Sequence, residues 1–373
     1  MRYILVIWAM LLPLPVVGQT HDPKQPLQGA RSNAVTYDID FAAIVTAPYR
    51  TKTLKVWLPL PQSDVAQSIE GSTLSAFPMK VTPKVAQEPV HGNRFAYFEF
   101  DHPEGAQMIR HKFKATIHEM RWNIDPAKVA KVERWPASFD PYLRSDNSVT
   151  IDERVKKLVL DAVPQSKNPS DDLLSVMRWV NGFMKYDHIN ASLKASSQHA
   201  LDKKTGHCSD YHGLCAALGR ALGYPTRVTY GINTFAKNSP SHCKLEAYLP
   251  PYGWVCFDVS ETQRVIEAIE KDKALAADKK AELVRLAHDR LQKGFRDNTW
   301  LQLTRGTDYE LVPPASKRAP VVRTIYAEAD GVALPEPDPA NPKQREFGWM
   351  TMHEYVPDRA VEYPFKGWKS LVK

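Results

Sequence analysis

The sequence predicts an α+β protein in which an N-terminal β-sandwich precedes a mixed helical and strand domain that carries the chemistry. Three observations predict it. Apolar and polar residues alternate from Ala34 to about Met120, the apolar period turns helical from about Thr150, and Cys208, Cys215, Cys243 and Cys256 all fall in that second half. A chain of 373 residues is long enough for two domains, and 43% apolar with 24% charged residues excludes wholesale disorder and a polytopic membrane protein.

The chain opens on Met1-Arg2 and an apolar run from Tyr3 to Val17 that ends Val16-Val17-Gly18. A basic start, a short apolar stretch and small residues before a polar segment describe a signal peptide over 1–18, cleaved between Gly18 and Gln19. Pro13 and Pro15 interrupt the run, which falls short of the ~20 residues of a membrane span, so no stable span is expected and the protein is placed in the periplasm or outside the cell. The net charge of +7 is spread without a block of like charges, which suits solubility and gives no nucleic-acid partner.

Within the sandwich region, 34–125, Tyr37, Ile39, Phe41 and Ala43 share one face, as do Leu54, Val56, Leu58 and Leu60, and Ile109, Phe113, Ala115 and Ile117 alternate with Arg110, Lys112, Lys114 and His118. Residues 120–147 read as a linker. The second domain, 140–315, begins with helices: Thr150 with Glu153 is a capping-box pattern, and Asn168-Pro169 is an N-cap followed by proline at the first helical position. A third helix starts at Cys208, carries Tyr211, Leu214, Cys215, Leu218 and Leu222 at spacings of three and four, and stops at Gly223 with Pro225 beyond. Leu245–Leu249 and Trp254–Val259, joined by Pro250-Pro251-Tyr252-Gly253, form a β-hairpin, residues 261–293 a charged helix, and Trp300–Leu303 a further strand. The remainder, 316–373, holds a strand, a proline-rich linker around Pro335, Pro337, Pro339 and Pro342, and a tail with Trp349, Tyr355, Tyr363, Phe365 and Trp368, which must bury itself on its own domain or on a partner.

Cys208 in a first helical turn faces free N–H groups and the positive end of the helix dipole, which favour the nucleophilic thiolate. Folding the hairpin back at Pro250-Pro251 sets His242 opposite Asp258 and, with a bulge allowed, on one face. Asp258 then holds the His242 ring while its other nitrogen faces Cys208, a Cys-His-Asp arrangement. Cysteines are more often small buried apolar residues, and Cys215, Cys243 and Cys256 are assigned that role; no structural disulfide is expected. Zinc is not expected either, since Cys208 and Cys215 stand about 10.5 Å apart along one helix and two thiolates cannot share an ion from there. Asp210 is read as a complement to the dipole. The Cys208 N–H is the first candidate oxyanion donor, with Tyr186 as a second whose commoner role is structural.

The segments Gly206-His207-Cys208-Ser209-Asp210-Tyr211 and Arg220-Ala221-Leu222-Gly223-Tyr224-Pro225-Thr226-Arg227 resemble the nucleophile helix and following strand of the transglutaminase-like superfamily. Ser241-His242-Cys243-Lys244-Leu245-Glu246-Ala247-Tyr248-Leu249-Pro250-Pro251-Tyr252-Gly253-Trp254-Val255-Cys256-Phe257-Asp258 resembles its histidine–aspartate hairpin. The resemblance spans roughly 140–310 and implies a papain-like transglutaminase core, its nucleophile helix packed on an antiparallel sheet, with Cys208 as nucleophile, His242 as base and Asp258 as orienting carboxylate. Lys244 departs from it, since many members carry an aromatic residue there. The chain is far smaller than the calcium-dependent animal enzymes, so no calcium site is carried over and no cofactor is implied.

The expected activity is acyl transfer from amides of a peptide or protein, with the cell envelope as a source of substrate, through a thioester. Passage to water gives a protease or amidase and is favoured, because water is always available; passage to an amine gives a protein-glutamine γ-glutamyltransferase. The reading from a different class, a non-catalytic envelope binding module, predicts a broken triad, whereas all three positions are filled here.

Overall fold

The computed structural model describes residues 21–25, 27–235, 240–337, 343 and 348–372; the apolar N-terminal run with its cleavage point, and Pro339 and Pro342, lie outside the described residues. The chain first forms β1 (Ala30–Thr46), β2 (Thr53–Leu60), β3 (Gln67–Phe77), β4 (Lys84–Gln87), β5 (Arg94–Asp101) and β6 (Ala106–Arg121). Next come α1 (Glu153–Ala162), α2 (Pro169–Phe183), β7 (Lys185–Tyr186), α3 (Ser197–Lys203), β8 (Thr205–Gly206) and α4 (Cys208–Ala221). They are followed by β9 (Thr226–Asn233), β10 (Ser241–Leu249), β11 (Gly253–Phe257), α5 (Val259–Lys271), α6 (Ala277–Lys293), β12 (Phe295–Arg296) and β13 (Trp300–Arg305). Last are β14 (Tyr326–Ala329), β15 (Val332–Ala333) and β16 (Trp349–Pro357).

Two sheets build the sandwich. One runs β12-β6-β1-β16 with β3 also on β6, the other β15-β14-β2-β5-β4. The period-two faces explain why they close on each other: Phe41, Ala43 and Val45 of β1 meet Val56 and Leu58 of β2 and Phe98 and Phe100 of β5 in one buried cluster. Late strands complete both layers, β14 pairing with β2 and β16 with β1, and Trp349 and Ala327 enter the same cluster. The same face of the first sheet continues past the sandwich core: Val35, Tyr37, Ile39 and Phe113 pack on Ile232, Leu301 and Leu303 of a third, four-stranded antiparallel sheet, β11-β10-β9-β13. α4 lies against β9 and β10, and nearly all of its residues are buried. The helix that starts at Cys208 is thus at the centre of the molecule, wrapped by α1, α2, α3 and α5.

Local signals place most helix ends. Asn168 caps α2 by accepting from Asp171 N–H at 3.0 Å, with Pro169 at the first position. Gly223, at φ +82°, takes the left-handed turn that ends α4. Three expectations are corrected. The cap of α1 is Asp152, whose carboxylate accepts from Val155 N–H at 3.0 Å, rather than Thr150, which instead donates to Asp146 O. The single charged helix over 261–293 is two, α5 and α6, broken at 272–276, where Asp272 turns its carboxylate to Ala274 N–H. The hairpin register differs by two, Leu245 pairing with Phe257 and Leu249 with Gly253, so Asp258 lies beyond the end of β11. Residues 122–147 carry two short 3-10 turns and bury Trp122, Ile124, Phe139 and Tyr142 in the core around α4.

Candidate active site

α4 begins at Cys208 because His207 caps it. Ser209 N–H donates to His207 Nδ1 at 3.1 Å, and His207 N–H donates back to Asp210 Oδ2 at 3.3 Å. Asp210 is fully buried and also accepts from Ser192 N–H at 3.1 Å and from the Ser192 hydroxyl, so its part is to fasten the 187–195 loop to the first turn of α4, beyond complementing the dipole. Gly213 lets that loop approach, since a Cβ there would stand 2.2 Å from Ala195 O.

His242 lies on β10 opposite Gly231 of β9. A Cβ on Gly231 would stand 2.7 Å from the Trp300 ring; its absence lets Trp300 Nε1 donate to His242 O at 3.1 Å and fix the histidine backbone. Asp258 is the N-cap of α5, its Oδ1 accepting from Glu261 N–H at 3.2 Å. Its Oδ2 accepts from His242 Nε2 at 2.8 Å and from Lys244 Nζ at 2.7 Å, and Lys244 donates again to Asp297 Oδ2 at 2.8 Å. No side chain of this group is more than 1% exposed. The two-residue register shift explains the contact: it sets Lys244 level with Asp258 and His242 two residues further along the same face.

The charges alternate along this line. Cys208 is pulled well below the usual thiol range, first by a hydrogen bond from the Cys243 thiol and, against the cost of burial, by the His207 and His242 imidazoles. Burial alone would lower His242, but Asp258 and then Cys208 outweigh it and raise it to about 9. Asp258 is held far below the carboxylate range, its burial overcome by Lys244 and His242. With Nε2 given to Asp258, Nδ1 is the His242 atom left for the Cys208 side. Cys215, Cys243 and Cys256 are pushed up, chiefly by burial, and all four cysteines carry free thiols.

Tyr186 sits on β7, level with Gly206 of β8, and feels the Cys208 charge after the larger effect of its own burial. Its ring lies 5.7 Å from the Arg264 guanidinium. Three residues of the site carried little or no signal. His212, one turn past Cys208, accepts from Val259 N–H at 3.0 Å and ties α4 to α5; burial lowers it to about 4, which keeps it a neutral acceptor. Its spacing of four from Cys208 is the signal that could have found it. Lys244 stood out only as a departure from a pattern, and Asp297 had no signal, since its partner is 53 residues away in the chain. Among the described residues, no three His, Cys, Asp or Glu side chains converge as metal ligands, and no helix is long and apolar enough to cross a membrane.

Residues 156–259 match the family model of the transglutaminase-like superfamily core, the stretch that holds Cys208, His242 and Asp258. An uncharacterised protein of Haemophilus influenzae is 23% identical over 323 residues, 76% of this chain and 83% of its own. A solved Cytophaga hutchinsonii protein, provisionally named a cysteine protease, superimposes with a TM-score of 0.62 over 92% of this chain and 97% of that one, at 15% identity, a likeness of fold.

Proposed function

We propose, with the transglutaminase-like superfamily core as the premise, that this protein is an exported cysteine-dependent hydrolase of amide bonds in peptides or proteins of the cell envelope. The observation that carries the reading is His242, which gives one ring nitrogen to Asp258 at 2.8 Å and has the other free for a cysteine in the first turn of a helix. The Cys208 thiolate attacks the carbonyl carbon, and the oxyanion forms beside the Cys208 N–H, one of the four helix N–H groups with no intrahelical acceptor. Tyr186 is the second donor candidate. Collapse breaks the C–N bond as His242 Nδ1–H protonates the departing amine, leaving a thioester and a neutral imidazole. His242 then takes a proton from water, whose oxygen attacks the thioester, and the acid leaves with the thiol restored. Peptide substrates also accord with the name given to the Cytophaga protein.

A glutamine-donor peptide incubated with and without an excess of a primary amine tests the reading. Wild type is expected to release acid and ammonia in both arms, and Cys208→Ala to release neither. Amide product in place of acid makes it a transamidase, and equal turnover by Cys208→Ala overturns the nucleophile.

A further inference from the structure

The line of alternating charge does not end at Asp258. Lys244 bridges two buried carboxylates, 2.7 Å from Asp258 Oδ2 and 2.8 Å from Asp297 Oδ2. Asp297, in the turn between β12 and β13, is itself fixed, its Oδ1 accepting from Thr299 N–H at 3.1 Å and from the Thr299 hydroxyl. Two carboxylates around one ammonium carry one negative charge in excess, and that excess faces His242. A lone lysine on Asp258 would instead neutralise the charge that holds the imidazolium. Burying three charges is costly and is a poor route to stability, so a role in the site accounts for the group better than a role in the fold.

We propose that Lys244 and Asp297 are positioning residues for the histidine: Lys244 pins the Asp258 oxygen that His242 uses, and Asp297 balances Lys244 so that Asp258 keeps its charge for the imidazole. The proposal rests on the reading of Cys208, His242 and Asp258 as the reacting set. Other charged and titratable groups face this line from the packed elements: His212 of α4, Cys243 of β10, Cys256 of β11, Glu261 of α5, Arg290 of α6, and Tyr363 of the C-terminal tail. Each stays in place in the variants below, so its contribution cancels in the comparison.

The experiment follows His242 in the full chain by 15N NMR of histidine-labelled protein, its signal identified by loss in His242→Gln. Asp297→Asn leaves Lys244 balanced by Asp258 alone and is expected to move the His242 titration down by about one pH unit. Lys244→Met with Asp297→Asn removes one charge of each sign and is expected to bring the titration back to within about half a unit of wild type. In that double variant the Asp258 carboxylate is unpinned, and the Nε2–H proton of His242 is expected to exchange with water at least about tenfold faster than in wild type. A titration unmoved in Asp297→Asn, a double variant shifted as far as the single one, or unchanged exchange overturns the proposal. If neither variant folds, the pair is a structural clamp and the proposal also falls. Alkylation by iodoacetamide separates this from failure of the underlying reading. Cys208 keeps 5% of its surface exposed against 1% or less for the other cysteines, so wild type labelled no faster at pH 7 than an ordinary thiol sinks the catalytic assignment itself.

Discussion

Replacing Asp258 with Asn tests the electrostatics of the site with little change of shape. Asn keeps the side-chain volume and is as good an N-cap as Asp, so α5 retains its cap at Glu261 N–H. What it removes is the charge facing His242. That group is raised from 6.5 to about 9, about 2.5 units, or about 3 kcal/mol in favour of the imidazolium. Below about 9 the ring is a cation able to protonate a leaving amine, and above it the ring is neutral. At pH 7.5 a group at about 9 is almost wholly protonated, whereas one at about 6.5 is about one-tenth protonated. Asp258→Asn is therefore expected to slow amide hydrolysis at pH 7.5 by at least about tenfold, a floor because the burial that lowers His242 remains. The assay is the pH dependence of kcat/KM on the glutamine-donor peptide together with the 15N titration of His242. An alkaline limb and a histidine titration both still near 9 in Asp258→Asn refute the reasoning.

Two further predictions concern stability, each read as a thermal melt against wild type. Gly213→Ala forces a Cβ to 2.2 Å from the Ala195 carbonyl between two packed elements, and a loss of about 2 kcal/mol is expected, while Gly182→Ala, with nothing within 4 Å of its Cβ, is expected to be neutral or to gain up to ~1 kcal/mol. Glu246→Ala leaves the Arg227 guanidinium, paired at 2.6 Å and lying 3.8 Å over the Trp254 ring, buried without its carboxylate; a loss of about 3 kcal/mol is expected, and a melt within a degree of wild type contradicts it.

The site was legible wherever the signal is local. A cysteine just after Gly206-His207 and ahead of helically spaced apolar residues announces a helix N-terminus, and α4 does start at Cys208. Competition between neighbouring side chains blurred other local signals: Thr150 and Asp152 can both cap α1, and the nearer carboxylate does. Asp272 likewise broke a helical pattern that continues by composition through 261–293.

By itself the sequence determined the sandwich and its two apolar faces, the position of the helix carrying Cys208, and the order of Cys208, His242 and Asp258, because periodicity, caps and turns act over a few residues. Only the tertiary structure decided which side chain stands level with Asp258. The hairpin register moved by two residues, which kept His242 on the same face and set Lys244 across from the carboxylate. Asp297 reaches Lys244 only because the turn between β12, paired with β6, and β13, paired with β9, returns to the site, and β14 and β16 reach the sandwich across most of the chain. Strand register and distant partners are set by how whole faces pack, a property of the assembled core that no short stretch of sequence carries.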